Sequence, residues 1–158
     1  MIEISLDHFD IKQIAESGQC FRWKVLSDIA AEIIAYDRLL YIERKGSKLS
    51  LDCSEADFRN IWQQYFDLDT DYSRIERLIA DSGDAHLKKA YLRGSGIRIL
   101  RQELFETMVT FLISQNNNIP RIKKSLEMIC EKGGFPLVNS DRGFRLPKPS
   151  EVAPDILN

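Results

Sequence analysis

No apolar run in this chain is long enough to cross a bilayer, no signal peptide is recognisable at its start, and no cysteines stand in C-x-x-C spacing. A membrane-spanning helix needs about 20 consecutive apolar residues, so no membrane partner is expected. Cys20, Cys53 and Cys130 are scattered and odd in number, which excludes a disulfide framework and a zinc or iron–sulfur site. They predict reduced thiols in a cytosol, at the nucleoid if the source is prokaryotic. Histidine is scarce too: His8 and His86 lack ligand companions at useful spacing and are expected at surface or structural positions, with no metal. P-loop, G-x-S-x-G, H-E-x-x-H and dinucleotide fingerprints are all missing, so no cofactor is expected. A large excess of either charge is lacking as well. The net charge of -2 gives no global basic field, so any nucleic-acid contact must come from a local patch. What remains is ordinary for a folded chain: 158 residues, 44% apolar and 29% charged, are enough to bury one core or two small ones.

The most informative stretch runs from Leu104 to Cys130. Phe105, Met108, Val109, Leu112 and Ile113 follow the spacing of one helix face; Ile119, Ile122, Leu126, Ile129 and Cys130 mark a second. Between them Ser114-Gln115-Asn116-Asn117-Asn118 forms a polar elbow, followed by Pro120, residues that end one helix and start the next. The second helix prefers acidic residues at its start, yet Arg121, Lys123 and Lys124 occupy its first turns. Each misplaced cation forfeits roughly 0.3–1 kcal/mol. Free backbone N–H groups beside basic side chains attract phosphate, and asparagine amides can match a base edge. The same residues also read as an Asn-capped helix with a solvated basic face.

The first half reads as mixed strand and helix. Ile2–Leu6 alternates like a half-buried strand, Phe9–Ser17 reads as a short helix stopped by Gly18, and further strands are expected at Phe21–Leu26, Ala31–Tyr36, Leu39–Arg44 and Lys48–Cys53. Gly46-Ser47 has the chemistry of a type II′ hairpin. Ser54 and Asp57 resemble a capping box before a helix burying Phe58, Ile61, Trp62 and Tyr65. Two further helices follow, one with Tyr72, Ile75, Leu78 and Ile79, the other from Asp84 to Gly94. Gly94-Ser95-Gly96 is the expected junction, dividing the chain into 1–96 and 97–158. Beyond Gly133-Gly134, Phe135–Pro149 reads as irregular chain with a turn at Asp141-Arg142-Gly143, and Ser150 as the cap of a last short helix.

Asp67, Asp69 and Asp71 alternate as in a calcium loop, but Tyr72 and Leu78 stand where such a loop needs glycine and glutamate. In Ser17-Gly18-Gln19-Cys20-Phe21-Arg22-Trp23 a glycine closes a helix before an aromatic-rich strand, leaving backbone that a flat ligand could approach. A helix C-cap followed by a core strand, with Phe21 and Trp23 on one face and Cys20 and Arg22 on the other, explains the same pattern.

Taken in order and spacing, SGQCFRW, YFDLDTDY, GIRILRQ and SQNNNIPRIKK resemble the 8-oxoguanine DNA glycosylase family, from about Phe9 to Pro149. The resemblance implies an α+β fold: a twisted antiparallel sheet with packed helices (TBP-like) over 1–96, then the first helices of an all-α helix-hairpin-helix glycosylase domain over 97–158. It implies damaged double-stranded DNA as partner, with an oxidised guanine flipped from the stack. Gly18 would offer its carbonyl to the N7–H that only the oxidised base carries, and would repel the lone pair of normal guanine. Gln19 and Phe21 would join this lesion-base contact. Asn116 and Arg121 would hold the cytosine left opposite, Asn117 would border the vacated stack, and Lys123 and Lys124 would contact the backbone.

The family's catalytic lysine lies in a Leu-Pro-Gly-Val-Gly-x-Lys type hairpin with a carboxylate beyond; neither motif occurs here, so no catalytic residue is assigned in this chain. Glu103-Leu104 also replaces the usual Asp-Pro after the Arg-Gln pair. The expectation is the N-terminal part of a DNA-repair glycosylase with β-lyase chemistry, itself inactive, and self-associating through the uncovered apolar faces of Leu104–Cys130. The alternatives are an alkylated-base glycosylase, which the Asn triplet and SGQ-x-FRW word disfavour, a non-catalytic DNA- or protein-binding module, and a small-molecule-binding α+β protein.

Overall fold

Alternating apolar residues generate a five-stranded sheet of β1 (Ile2–Ser5), β2 (Trp23–Ser27), β3 (Ala30–Ala35), β4 (Arg38–Lys45) and β5 (Lys48–Leu51), ordered β1-β5-β4-β3-β2. These elements belong to a computed structural model that describes residues 1–151. β1 pairs antiparallel with β5, Ile2 opposite Leu51 and Ile4 opposite Leu49, and β4 with β5, Ile42 opposite Leu51. Leu40, Ile42, Leu49 and Leu51 are buried with polar or exposed residues between them, the period-2 signature read from the sequence. Gly46 takes φ +64 while Ser47 stays negative, the backbone of a type II′ turn.

By its contacts the chain divides into two compact units. The first comprises Met1–Cys20, Lys24–Glu32 and Tyr41–Arg101; the second comprises Phe21–Trp23, Ile33–Leu40 and the described residues from Gln102 onward. In the first unit, α1 (Ile11–Glu16) starts later than expected because Asp10 caps it, accepting from Gln13 N at 2.8 Å. Ile11, Ile14 and Ala15 form its buried face. Ser54 caps the next helix by accepting from Asp57 N, and its hydroxyl donates back to the Asp57 carboxylate at 2.9 Å. That helix is not uniform. α2 (Glu55–Asp57) widens into a π-helical segment (Phe58–Trp62) before α3 (Gln63–Tyr65). Trp62, Tyr65 and Phe66 then pack edge-on or stacked at 5.1–6.0 Å between ring centres, and Phe9 meets Phe66 edge-on at 5.4 Å. Such pairs add about 0.5–1.5 kcal/mol each beyond area burial. α4 (Tyr72–Asp81) and α5 (Ala85–Gly94) start at Asp71 and Asp84, as capping chemistry predicts.

In the second unit, α6 (Leu104–Ser114) and α7 (Ile119–Gly133) flank the expected elbow. Leu126, Cys130 and Leu146 form its buried centre, with Phe21, Phe105, Val109, Ile113 and Phe144 packed around them. The buried stripe of α6 is narrower than the sequence suggested, since Met108 and Leu112 remain 55% and 65% exposed. Two expectations are corrected. Phe135–Pro149 is largely not irregular: β6 (Phe135–Leu137) and β7 (Ser140–Arg145) form an antiparallel hairpin, and Asp141-Arg142-Gly143 lies within β7 instead of making the turn. Val138-Asn139 turns the chain, and Asn139 fixes it by clasping both backbone groups of Leu39, accepting at 2.9 Å and donating at 2.8 Å. The strand expected from Phe21 begins at Trp23, and Arg22 is buried. Pro149–Glu151 makes one 3-10 turn; the rest of the helix expected after Ser150 lies outside the described residues.

Candidate nucleic-acid interface

Gly18 follows the C-cap of α1 at φ +81, a conformation that costs an L side chain about 1–2 kcal/mol. A Cβ built there would meet nothing within 4 Å, so the glycine answers to backbone geometry and leaves open space beside it. Among the described residues nothing donates to its carbonyl, which is the state a hydrogen-bond acceptor for a ligand requires. The Gln19 side chain is occupied. Its Oε1 accepts from Leu100 N at 2.8 Å, and its Nε2 donates to the Arg98 carbonyl at 2.9 Å and to Ser17 Oγ at 3.0 Å. Gln19 therefore pairs with the 98–100 backbone as a neighbouring strand would, and anchors the loop that carries Gly18.

Arg98 follows Gly94-Ser95-Gly96, the stretch expected as the junction. Arg98 is 2% exposed and its guanidinium donates to the carbonyls of Phe66, Asp67 and Thr70 at 2.9–3.1 Å while lying 4.1 Å from the Tyr72 ring centre. Its charge is answered inside the first unit. Asp67, held at φ +51, has its carboxylate taken by Arg101 at 2.7 Å and by the Tyr72 hydroxyl at 3.3 Å. Burial pushes its carboxyl up, but hydrogen bonds from Thr70, Arg101 and Tyr72 outweigh that and hold it below the usual carboxylate range. His8 is structural in the manner expected: its ring sits 3.2 Å from Ser73 Oγ and 3.1 Å from the Tyr91 hydroxyl.

The elbow of the second unit separates three asparagines by role. Asn118 caps α7 by accepting from Arg121 N at 3.1 Å, and Asn117 donates to the Ile113 carbonyl at 3.0 Å while accepting from Asn118 N at 3.0 Å. Both amides are committed to the turn. Asn116 is exposed, held at φ +50, and its side chain makes no hydrogen bond among the described residues. Arg121, Lys123 and Lys124 stand exposed on the first two turns of α7, without ion pairs among the described residues. An amide and a guanidinium left free at the start of a 15-residue helix present donors toward one anionic or base-edge ligand. Phe21, from the other sequence word, lies half-buried against the Leu126–Cys130–Leu146 cluster.

Two residues of this unit were not assigned a role from the sequence. Arg22 is 8% exposed; its Nη2 donates to the Phe144 carbonyl, while Nε and Nη1 are buried without a hydrogen-bond partner among the described residues. Glu106 is also 8% exposed, and burial pushes its carboxyl up to about 7, with Arg22 pulling the other way and Glu103 adding to the rise. One signal was legible: Glu106 shares the α6 stripe of Phe105, Val109 and Ile113, a position that favours an apolar residue.

Comparison with known proteins gives this arrangement a context. The family model of the 8-oxoguanine DNA glycosylase N-terminal domain matches residues 1–108. The N-glycosylase/DNA lyase of Saccharomyces cerevisiae is 34% identical over 147 residues, covering 84% of this chain and 39% of the yeast protein. Among solved structures, MBOgg1 in complex with a low-affinity DNA ligand superposes with TM-score 0.88 at 40% identity, covering 95% of this chain and 52% of that one. The Clostridium acetobutylicum 8-oxoguanine glycosylase/lyase, bound to double-stranded DNA with cytosine opposite 8-oxoguanine, gives 0.80 at 37% identity, covering 89% and 48%. The chain thus spans about half the length of these solved relatives and 39% of the yeast one. With more than half its length matched by the family model, on the α+β fold of those neighbours, the chain belongs to the 8-oxoguanine DNA glycosylase family.

Proposed function

We propose that this chain reads 8-oxoguanine in duplex DNA, as the lesion-recognising part of a base-excision glycosylase with β-lyase chemistry, and that its 158 residues do not themselves break the glycosidic bond. In this reading 1–96 is the sheet-bearing domain and 97–158 the start of the helical one. The observation that carries it is the Asn116 amide, free among the described residues and held at left-handed φ, ahead of an Arg121 guanidinium that has no ion pair among them. Asn116 and Arg121 hold the cytosine orphaned by flipping, with Asn117 bordering the emptied stack. Gly18 accepts from N7–H of the lesion, Gln19 keeps that loop in shape, and Phe21 lies beside the base. Lys123 and Lys124 supply salt-sensitive phosphate contacts. Support comes from the unoccupied Gly18 carbonyl and from the Clostridium acetobutylicum relative, captured on a duplex with cytosine opposite 8-oxoguanine.

Binding of the chain to four duplexes, with each base opposite the lesion, tests the reading. Cytosine is expected to bind tightest by roughly tenfold, the value of one good bidentate contact; equal affinity for all four overturns it. Borohydride treatment is expected to leave no covalent adduct, since the Schiff base of the lyase step needs the family's hairpin lysine.

A further inference from the structure

Arg98 is the buried cation of the first unit among the described residues. Its guanidinium is spent on backbone carbonyls: Nε donates to Phe66 at 3.1 Å, Nη2 to Asp67 and Thr70 at 2.9 and 3.1 Å, and Nη1 to Asp7 at 3.4 Å. One side chain thereby ties residues 96–101 to the loop between α3 and α4 and to the chain just past β1. Two backbone groups reinforce the same flank, Ile99 N donating to the Tyr72 hydroxyl at 2.9 Å and Arg101 N to the Tyr65 carbonyl at 2.9 Å. The other flank runs along α1. The Gly96 carbonyl accepts from Asp10 N at 2.8 Å, and its N–H donates to Gln13 Oε1 at 3.1 Å. The approach is so close that a Cβ at Gly96 would stand 2.3 Å from the Asp10 Cβ. Past the end of α1, Gln19 closes the row by accepting from Leu100 N and donating to the Arg98 carbonyl. Gly18 stands one residue before it, at φ +81 and with no side chain to fasten it. The Gly18 carbonyl is thus placed by Gln19, Gln19 by residues 98 and 100, and those by the Arg98 guanidinium, all within the first unit.

We propose that Arg98 is a positioning residue for reading the lesion: it fixes the 98–100 backbone that clasps Gln19, and through Gln19 the place of the Gly18 carbonyl. This role rests on the proposed function, in which that carbonyl accepts from N7–H of the oxidised base. Placement governs selectivity there because one oxygen attracts a donor and repels a lone pair, and an oxygen moved out of reach does neither. Lysine at position 98 would keep the buried charge and lose the planar fork, so it cannot serve carbonyls on several sides at once. Loosening the fork therefore costs discrimination between oxidised and normal guanine, and spares binding that involves no lesion base.

The test uses the full chain and three duplexes, carrying 8-oxoguanine, guanine or a tetrahydrofuran abasic analogue opposite cytosine, with thermal unfolding followed on the same samples. Arg98→Lys is expected to lower the ratio of 8-oxoguanine to guanine affinity by roughly three- to tenfold, the contribution of one hydrogen bond, and to leave affinity for the abasic duplex within about twofold. Gln19→Leu, which cuts the clasp itself, is expected to lower the ratio as far. The double variant is expected to go no lower than Gln19→Leu, because a route already cut cannot be cut again. A folded Arg98→Lys chain that keeps the ratio overturns the role, as does one that loses affinity for all three duplexes alike. A double variant that falls by the product of the two single losses also overturns it, since Arg98 then acts by a path other than Gln19. If Arg98→Lys does not fold, a Gln19→Leu chain with the original ratio overturns the role and one with the lowered ratio bears it out. An unsubstituted chain that binds guanine as tightly as 8-oxoguanine overturns the proposed function and this role together, whereas a selective unsubstituted chain with equally selective variants overturns this role alone.

Discussion

At the scale of single residues, the candidate interface is built from groups left deliberately idle beside groups fully engaged. Gln19, Asn117 and Asn118 have their amides bound into turns, which frees the Gly18 carbonyl and the Asn116 amide to wait for a partner. Gly18 is therefore replaceable only at a cost in backbone energy, since space for a methyl exists and a compatible φ does not. Gly18→Ala is expected to destabilise the chain by about 1 kcal/mol, a loss of several degrees in melting temperature, and to weaken lesion binding by more than that strain because the methyl enters the open side of the loop. A calorimetric scan and a binding isotherm on the same sample separate the two effects. The words SGQCFRW and SQNNNIPRIKK stood out in the sequence because a glycine that closes a helix and asparagines that end and cap helices are local signals, and the structure puts Gly18 after the C-cap of α1 and Asn118 at the N-cap of α7. Which asparagine stays free was not legible, because all three carry the same side chain and only the turn geometry divides them.

At the scale of elements, periodicity found the sheet strands and the helices with good fidelity, since each carries its own apolar repeat. The β6–β7 hairpin escaped it. Pro136 inside one strand and the bulge between Pro136 and Leu137 break the alternation, and Asp141-Arg142-Gly143 imitates a turn that is made at Val138-Asn139 instead. The hydrogen bond from buried Arg22 to the Phe144 carbonyl escaped for another reason: it joins segments far apart in the chain, and no local pattern records such a contact. The hairpin also carries a measurable acid sensitivity. Arg145 donates to both Glu151 oxygens at 2.7 Å and lies 4.6 Å from the Phe135 ring centre. Hydrogen bonds from Arg145 and from the Lys148 backbone hold the Glu151 carboxyl down at about 2. A carboxyl lowered in the fold contributes above its ordinary 4.5, and the contribution is lost as pH falls toward 2. Protection of the β6 and β7 amides, taken relative to their intrinsic exchange at each pH, is expected to fall over that window, and Glu151→Gln to lower it above the window while flattening the dependence. Equal acid sensitivity in the variant would remove the pair from the explanation.

At the scale of the whole molecule, apolar surface remains where two helices of the second unit meet solvent. Leu104, Met108, Phe111 and Leu112 are 55–73% exposed on α6, and Ile119 and Met128 are 49% and 44% exposed on α7. Apolar side chains left this exposed favour association. Sedimentation of the chain by itself is expected to show concentration-dependent assembly, and Phe111→Glu to return it to a monomer; a monomer at every concentration would leave the patch without that role.

The order in which the chain visits its two units carries a further consequence. Residues 1–20 build the first, 21–23 the second, 24–32 the first, 33–40 the second, and 41–101 the first again before the remainder closes the second. One thread of chain is stitched through both. Cutting the gene once, even at the glycine pair Gly94 and Gly96, would hand the later piece its helices without Phe21, without the Arg22 guanidinium that the Phe144 carbonyl accepts from, and without the Leu39 backbone that Asn139 clasps. Recombination between relatives that swaps the halves at one crossover would therefore inherit mismatched stitches, and only exchanges that carry 21–23 and 33–40 along with the later helices would keep each fabric whole.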